Sequence, residues 1–188
     1  MQRGDFWVFG YGSLMWKPGF EHVERRIARL DDYTRRFGMW SWHYRGTREV
    51  PGLVLGLDWA PGQSCTGVAF RVPGSKDREI RDYLQQRELI SYAYFETVQP
   101  IVLPDDPDAP EGPGESCEAL CYILDRTHPQ YAGGLTAEEQ ADRIVRAAGT
   151  SGANTDYLHS TCAHLGDLGI RDAGLEALAD LVRAKETA

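Results

Sequence analysis

The chain has 188 residues, 42% hydrophobic and 26% charged, which is ordinary globular usage, enough for one sizeable core and cramped for two. Its formal net charge of -8 leaves no basic excess to neutralise phosphates, which argues against a nucleic-acid partner. No apolar run reaches the roughly 18 residues of a membrane span, and no secretory pattern opens the chain. The four cysteines lack a C-x-x-C pair and read as free thiols, so a cytoplasmic location with no membrane partner is expected.

In chain order, "FWVFGYG" is predicted as a short buried strand that ends in Gly10-Tyr11-Gly12-Ser13. "RRIARLDDYTRR" is basic but interrupted by Asp31 and Asp32, which suits a solvated face of a helix or strand. "GLVLGLDW" and "CTGVAFRVP" read as two strands of a hairpin turned by "APGQS". "SKDREIRDYLQQREL" is a helix, with Ser75 as N-cap and Ile80, Tyr83, Leu84 and Leu89 at helical intervals. "YAYFETVQPIVL" and "CEALCYILD" are strands of one sheet. The acidic, proline-rich "PDDPDAPEGPGES" between them buries too little apolar area to be more than an exposed loop. Helices follow: Thr136 with Glu139 makes a capping box, and Asn154 and Asp172 are candidate caps. Strands first and helices later predict a single domain over residues 1–188 of α+β (mixed α/β) class, with helices packed on a compact sheet or barrel.

Two features can carry chemistry. A strand ending in Gly-x-Gly-Ser exposes backbone N–H groups that suit an anion, with the Tyr11 and Ser13 hydroxyls beside them. The same glycines also serve a tight turn with no ligand. No third glycine follows for a dinucleotide fingerprint, and no Gly-Lys-Ser/Thr makes a P-loop. Glu88, near the helix end among Leu84, Leu89 and Ile90, is either a carboxylate raised in pKa for acid–base work or a surface partner of Arg87. His159 and Cys162 are one helical turn apart, yet no further ligand pair has zinc-like spacing, so no metal is expected. No G-x-S-x-G hydrolase signature occurs.

Specific strings add a resemblance. "VFGYGSLMWKPGF", "HYRGTREVPGLVLGL", "CTGVAFRVP", "YLQQRELISYAY" and "ALCYILDRTHPQYAGGLTAEEQADRIVRAAGTSGANTDYL" closely resemble, in order, segments of the ChaC-like γ-glutamylcyclotransferases, the glutathione-specific branch of that superfamily. The likeness implies a small mixed β-barrel with packed helices. It implies an enzyme that uses no cofactor or metal, takes a small γ-glutamyl substrate and acts as a monomer. In it the glutamyl α-amine attacks its own γ-carbonyl and 5-oxoproline forms. By the same likeness Gly10, Tyr11, Gly12, Ser13, Leu14 and Met15 form the loop that grips the substrate, and Glu88 moves the protons. Tyr94 and Tyr157 fall on motif tyrosines, either as hydrogen-bond donors to substrate or as core residues. Arg45 is a candidate partner for a substrate carboxylate. The chain departs from the pattern at Ser91 and Tyr92, where relatives carry a small pair, at Leu89, and in the length of the acidic loop.

Overall fold

The computed structural model describes residues 4–89 and 93–187. The departures at Ser91 and Tyr92 lie outside the described residues. The chain gathers into two compact units, Met1–Arg35 with Leu57–Asp125, and Arg36–Gly56 with Arg126–Ala188.

In the first unit, runs of consecutive apolar residues form strands with two buried faces. β1 (Phe6–Gly10) is the clearest: Val8 and Phe9 point to opposite sides and both are 0% exposed. β1 pairs antiparallel with β3 (Gly52–Val72), from Phe6↔Val72 to Gly10↔Val68, and parallel with β5 (Gly114–Leu124). With β2 (Glu24–Ser41) and β4 (Tyr94–Pro104) these strands close a barrel in the order β1-β3-β2-β4-β5. Phe9, Leu30, Leu57, Ile101 and Cys121 fill its interior. On the outer face, Val8, Leu14, Leu120 and Tyr122 receive Ile80 and Leu84 of α1 (Asp77–Glu88). A strand buried on both sides reads as a continuous apolar run, which is why "WVF" carries no polar alternation.

Two expectations for this unit are corrected. The predicted hairpin at "APGQS" does not exist, because β3 runs unbroken from Gly52 to Val72. Gly62 takes a φ of 77° there without reversing the chain, and its N–H donates to Asp32 Oδ1 at 2.8 Å. Asp32 itself has a φ of 64°, so the two irregular positions meet. Ser75 is not the N-cap: it lies in a 3-10 turn, Gly74–Lys76, ahead of α1. The first turn is fastened instead by buried Asp77, paired with Arg81 Nε at 2.7 Å.

The acidic loop does join two strands of one sheet, since β4 and β5 pair from Tyr94↔Leu124 to Pro104↔Gly114. Arg29 holds it through the carbonyls of Pro110 at 2.8 Å and Gly112 at 3.1 Å.

The second unit contains α2 (Ala137–Arg146), the short pair β6 (Ala148–Gly149) and β7 (Gly152–Ala153), α3 (Asn154–Asp167) and α4 (Ala173–Glu186). Thr136 and Glu139 form the expected reciprocal capping box, and Asp172 caps α4 by accepting from Leu175 N at 3.1 Å. Asn154 is not a cap. Its Oδ1 accepts from Leu53 N and its Nδ2 donates to Leu53 O, both at 2.7 Å, while the residue is 0% exposed. The amide stands in for a neighbouring strand, satisfying both backbone groups of one residue. Around it the "RGT…PG" and "SGANTDYL" strings close on each other. A Cβ on Gly46 would lie 2.1 Å from Gly52 N, and one on Gly52 2.7 Å from Asn154 Oδ1, so only glycine fits either position. Arg45 donates to the carbonyls of Ser151 at 2.6 Å and Ala153 at 3.2 Å, with its guanidinium 5.1 Å above the Tyr157 ring.

Truncating Asn154 leaves a buried N–H and a buried C=O unpaired. Asn154→Ala is therefore expected to lose about 3 kcal/mol of stability, read from the shift of a urea transition.

Candidate active site

β1 stops at Gly10 because the chain folds straight back over the strand end. A Cβ on Gly10 would sit 3.1 Å from Leu14 Cβ and 3.3 Å from Met15 N. Ser13–Met15 then makes one 3-10 turn, in which Met15 N donates to Gly12 O and Lys17 N to Ser13 O, each at 2.9 Å. The Met15 N–H is thus spent inside the turn. Leu14 and Met15 are buried beneath it, and Tyr11 packs its ring into the barrel core.

The turn is held from below by a residue that the sequence reading passed over. Arg35, only 5% exposed, donates from Nε to Tyr11 O and from Nη2 to Thr66 O, and its Nη2 lies 3.9 Å from Met15 Sδ. Carbonyls at the end of a closing strand lack ladder partners, and a buried guanidinium supplies donors to several at once. The signal was strand alternation through "DDYTRRF", where Arg35 falls on the opposite face from Arg36.

Glu88 is the last residue of α1. Ile80, Leu84 and Glu88 follow one another at intervals of four, so the carboxylate lies on the stripe that packs on the barrel. That spacing was the sequence signal for its burial. Its side chain is 18% exposed and its Oε1 is 3.0 Å from Arg87 Nε. Burial raises the Glu88 pKa above the ordinary glutamate value, and the Arg87 guanidinium pulls in the opposite direction without cancelling the rise.

Arg87 connects the two halves of the site. Its Nη2 donates to Ser13 Oγ at 2.9 Å, and its Nη1 to Lys17 O at 2.7 Å, Pro18 O at 3.1 Å and Tyr83 Oη at 2.9 Å. The Ser13 hydroxyl and the Glu88 carboxylate are therefore bound to one guanidinium. Tyr122 on β5 adds a phenol whose pKa is raised by burial, by its hydrogen bond to Glu96 Oε2 at 2.9 Å, and by the charges of Glu96 and Glu88. Tyr94 and Leu89 pack on the same apolar cluster as Leu14 and Tyr122.

The first unit thus brings Gly10, Tyr11, Gly12, Ser13, Leu14, Met15, Glu88 and Tyr94 into one neighbourhood. Tyr157 belongs to the second unit, where its ring meets Phe37 edge-on at 5.6 Å. His159 Nε2 lies 3.2 Å from Glu186 Oε2, and Cys162 Sγ 3.8 Å from Leu175 O. Chemically, the arrangement offers a carboxylate of raised proton affinity beside a turn rich in backbone N–H groups, which suits proton transfer on a small polar ligand.

Comparison with known proteins gives the same family. The family model described as ChaC-like protein matches residues 6–185. The glutathione-specific gamma-glutamylcyclotransferase of Escherichia coli is 35% identical over 94% of this chain and 72% of its own length. The mouse glutathione-specific gamma-glutamylcyclotransferase 1 is likewise 35% identical, over 94% of this chain and 77% of its own. The crystal structure of a yeast gamma-glutamyl cyclotransferase specific to glutathione superposes with a TM-score of 0.84 at 25% identity, covering 97% of each chain.

Two outcomes follow from the geometry. Arg35→Met strips the Tyr11 and Thr66 carbonyls of their donor and is expected to cost about 3 kcal/mol in urea denaturation. For Glu88 the sign runs the other way. A carboxyl whose folded pKa is raised binds its proton more tightly in the folded chain, so ionising it opposes folding. Stability falls as pH climbs from the ordinary glutamate range, about 4, toward the folded value. Glu88→Gln is accordingly expected to melt higher than the parent at neutral pH, with the gain fading in acid, as read by melting temperature against pH.

Proposed function

Because the chain belongs to the ChaC-like family, we propose that it is a γ-glutamylcyclotransferase that cleaves glutathione into 5-oxoproline and cysteinylglycine. The observation that supports this assignment is the placement of Glu88 and Ser13 on one guanidinium, which sets a proton carrier beside a turn able to grip a carboxylate. The fold agrees with it, through the yeast structure.

The turn from Gly10 to Met15 holds the glutamyl α-carboxylate, with backbone N–H groups before Met15 and the Ser13 hydroxyl as donors. Leu14 and Met15 act from beneath, as the apolar floor that sets the turn's shape. Gripped at that end, the side chain folds until the α-amine meets the γ-carbonyl, and closing a five-membered ring from this pose removes much of the barrier. The α-ammonium cannot attack. Glu88 takes one proton from it, the freed amine forms a bond to the γ-carbon, and the carbonyl oxygen takes up negative charge. When the tetrahedral centre collapses, the bond to the cysteinyl nitrogen breaks and that nitrogen receives the proton from Glu88. Glu88 then passes the ring nitrogen's second proton to the departing amine, which leaves as an ammonium. The carboxylate ends as it began, and no water enters. A raised pKa serves both steps, since it makes Glu88 a better base without preventing its later use as an acid. Tyr94, packed on the apolar cluster beside Leu14 and Tyr122, lines the substrate pocket in this reading.

We assign residues 1–188 to one catalytic domain that acts as a monomer in a reducing, cytoplasmic compartment. All four cysteines are free thiols, as a reducing compartment would leave them. Among the described residues no helix is long and apolar enough to cross a membrane.

Incubated with glutathione, γ-glutamylalanine and a γ-glutamylamine, the protein is expected to release 5-oxoproline fastest from glutathione, read by mass spectrometry. Glu88→Gln is expected to lower that rate by about 10²- to 10⁴-fold. Product from none of the three would leave a binding module in place of an enzyme. Product undiminished in Glu88→Gln would remove Glu88 as the base.

A further inference from the structure

Arg87 presents its guanidinium to five groups at once, on its own helix, on the Ser13 turn and on the segment just after that turn. Nε faces Glu88 Oε1 at 3.0 Å, and Nη2 faces Ser13 Oγ at 2.9 Å. Nη1 reaches the carbonyls of Lys17 and Pro18 and the Tyr83 hydroxyl, which in turn donates to Pro18 O at 3.2 Å. Both ends of this arrangement are partly withdrawn from water: the Arg87 side chain is 22% exposed and that of Glu88 18%. A rigid planar fork with donors on three sides fixes the angles between the groups it binds, which a flexible ammonium does not.

We propose that Arg87 is the positioning residue of the site, a clamp that sets the rotamer of the Glu88 carboxylate and the height of the Ser13 turn in a single geometry. It also keeps Glu88 ionisable in apolar surroundings. This rests on the reading of Glu88 as the base. Two consequences follow. Loss of the fork lets the carboxylate and the substrate-binding turn drift apart, which lowers turnover more than substrate binding. Loss of the charge removes the influence that opposes burial, so Glu88 holds its proton to higher pH.

The other charged and titratable groups around Glu88 do not replace Arg87. Tyr122 faces it from β5 as a neutral phenol, hydrogen-bonded to Glu96. The Glu96 carboxylate on β4 adds negative charge, and Arg81, 3.8 Å from Glu96, is already engaged by Asp77. Among the described residues, Arg87 is thus the cation in direct contact with the Glu88 carboxylate.

The test compares the parent with Arg87→Met and Arg87→Lys, each full-length, by 5-oxoproline kinetics across pH and by ¹³C NMR titration of carboxyl-labelled glutamate, with the Glu88 signal assigned through Glu88→Gln. Arg87→Met is expected to lower kcat roughly 10²-fold with a smaller change in KM, and to move both the acid limb of the rate and the Glu88 titration to higher pH. Arg87→Lys keeps the charge without the fork, so its titration stays near the parent's while kcat remains reduced. A Glu88 titration unmoved in Arg87→Met, or a full kcat in either variant with only the melting temperature lowered, would overturn the proposal. If Arg87→Met does not fold, Arg87→Lys decides alone: parental kcat overturns the clamp. The NMR titration reads whether or not the protein turns over glutathione, so absence of 5-oxoproline from the parent would strike the enzymatic reading and leave the Arg87–Glu88 coupling measured on its own.

Discussion

A carboxylate on the packed stripe of a helix is tolerated only when something repays its withdrawal from water. At the end of α1 that something is the guanidinium of the preceding residue. The helix itself works against the charge, since its C-terminal end carries the negative pole of the backbone dipoles, the same pole that favours Arg87. Glu88 is therefore balanced between apolar packing and dipole on one side and Arg87 on the other, with packing ahead. Much of the first unit serves to sustain that balance. The barrel gives α1 a rigid surface, Ile80 and Leu84 seat it, and the turn after β1 lies where the fork can reach.

The parts legible in the sequence were those governed by local periodicity. The apolar run of β1, the strand composition of β5 and the Thr136–Glu139 box each depend on residues within one element, and each was found where expected. The misreadings share one cause, tertiary partners. Asn154 has the residue type and position of a cap, yet its amide is claimed by Leu53, about a hundred residues earlier in the chain. "APGQS" has the composition of a reversal, but pairing inside the barrel carries β3 straight through it. Arg35 sat in a basic stretch read as solvated. Only the need for donors under the Tyr11 carbonyl explains why one arginine there turns inward.

The site divides along the same line. Glu88 was open between buried base and surface partner of Arg87, and the structure contains elements of both: the pair exists, and it is largely buried. The motif strings divide too. Those around Gly10 and Glu88 build the candidate site, whereas "RGT…PG" and "SGANTDYL" build the backbone packing of the second unit, where glycines and one asparagine let strands and turns approach more closely than side chains permit.

The β4–β5 hairpin has a bearing on how an anionic ligand meets an acidic protein. The eleven-residue β4 runs from Tyr94, at the Glu88 end, to Pro104, where the acidic loop begins, a span of about 33 Å along the strand. In physiological salt that is about four Debye lengths. Asp105, Asp106, Asp108 and Glu111 therefore add to the net charge of the chain and to its colloidal repulsion, and screening weakens their effect at the candidate site. The approaching ligand feels the nearby cations, and the far end of the barrel is free to lengthen, shorten or change its charge.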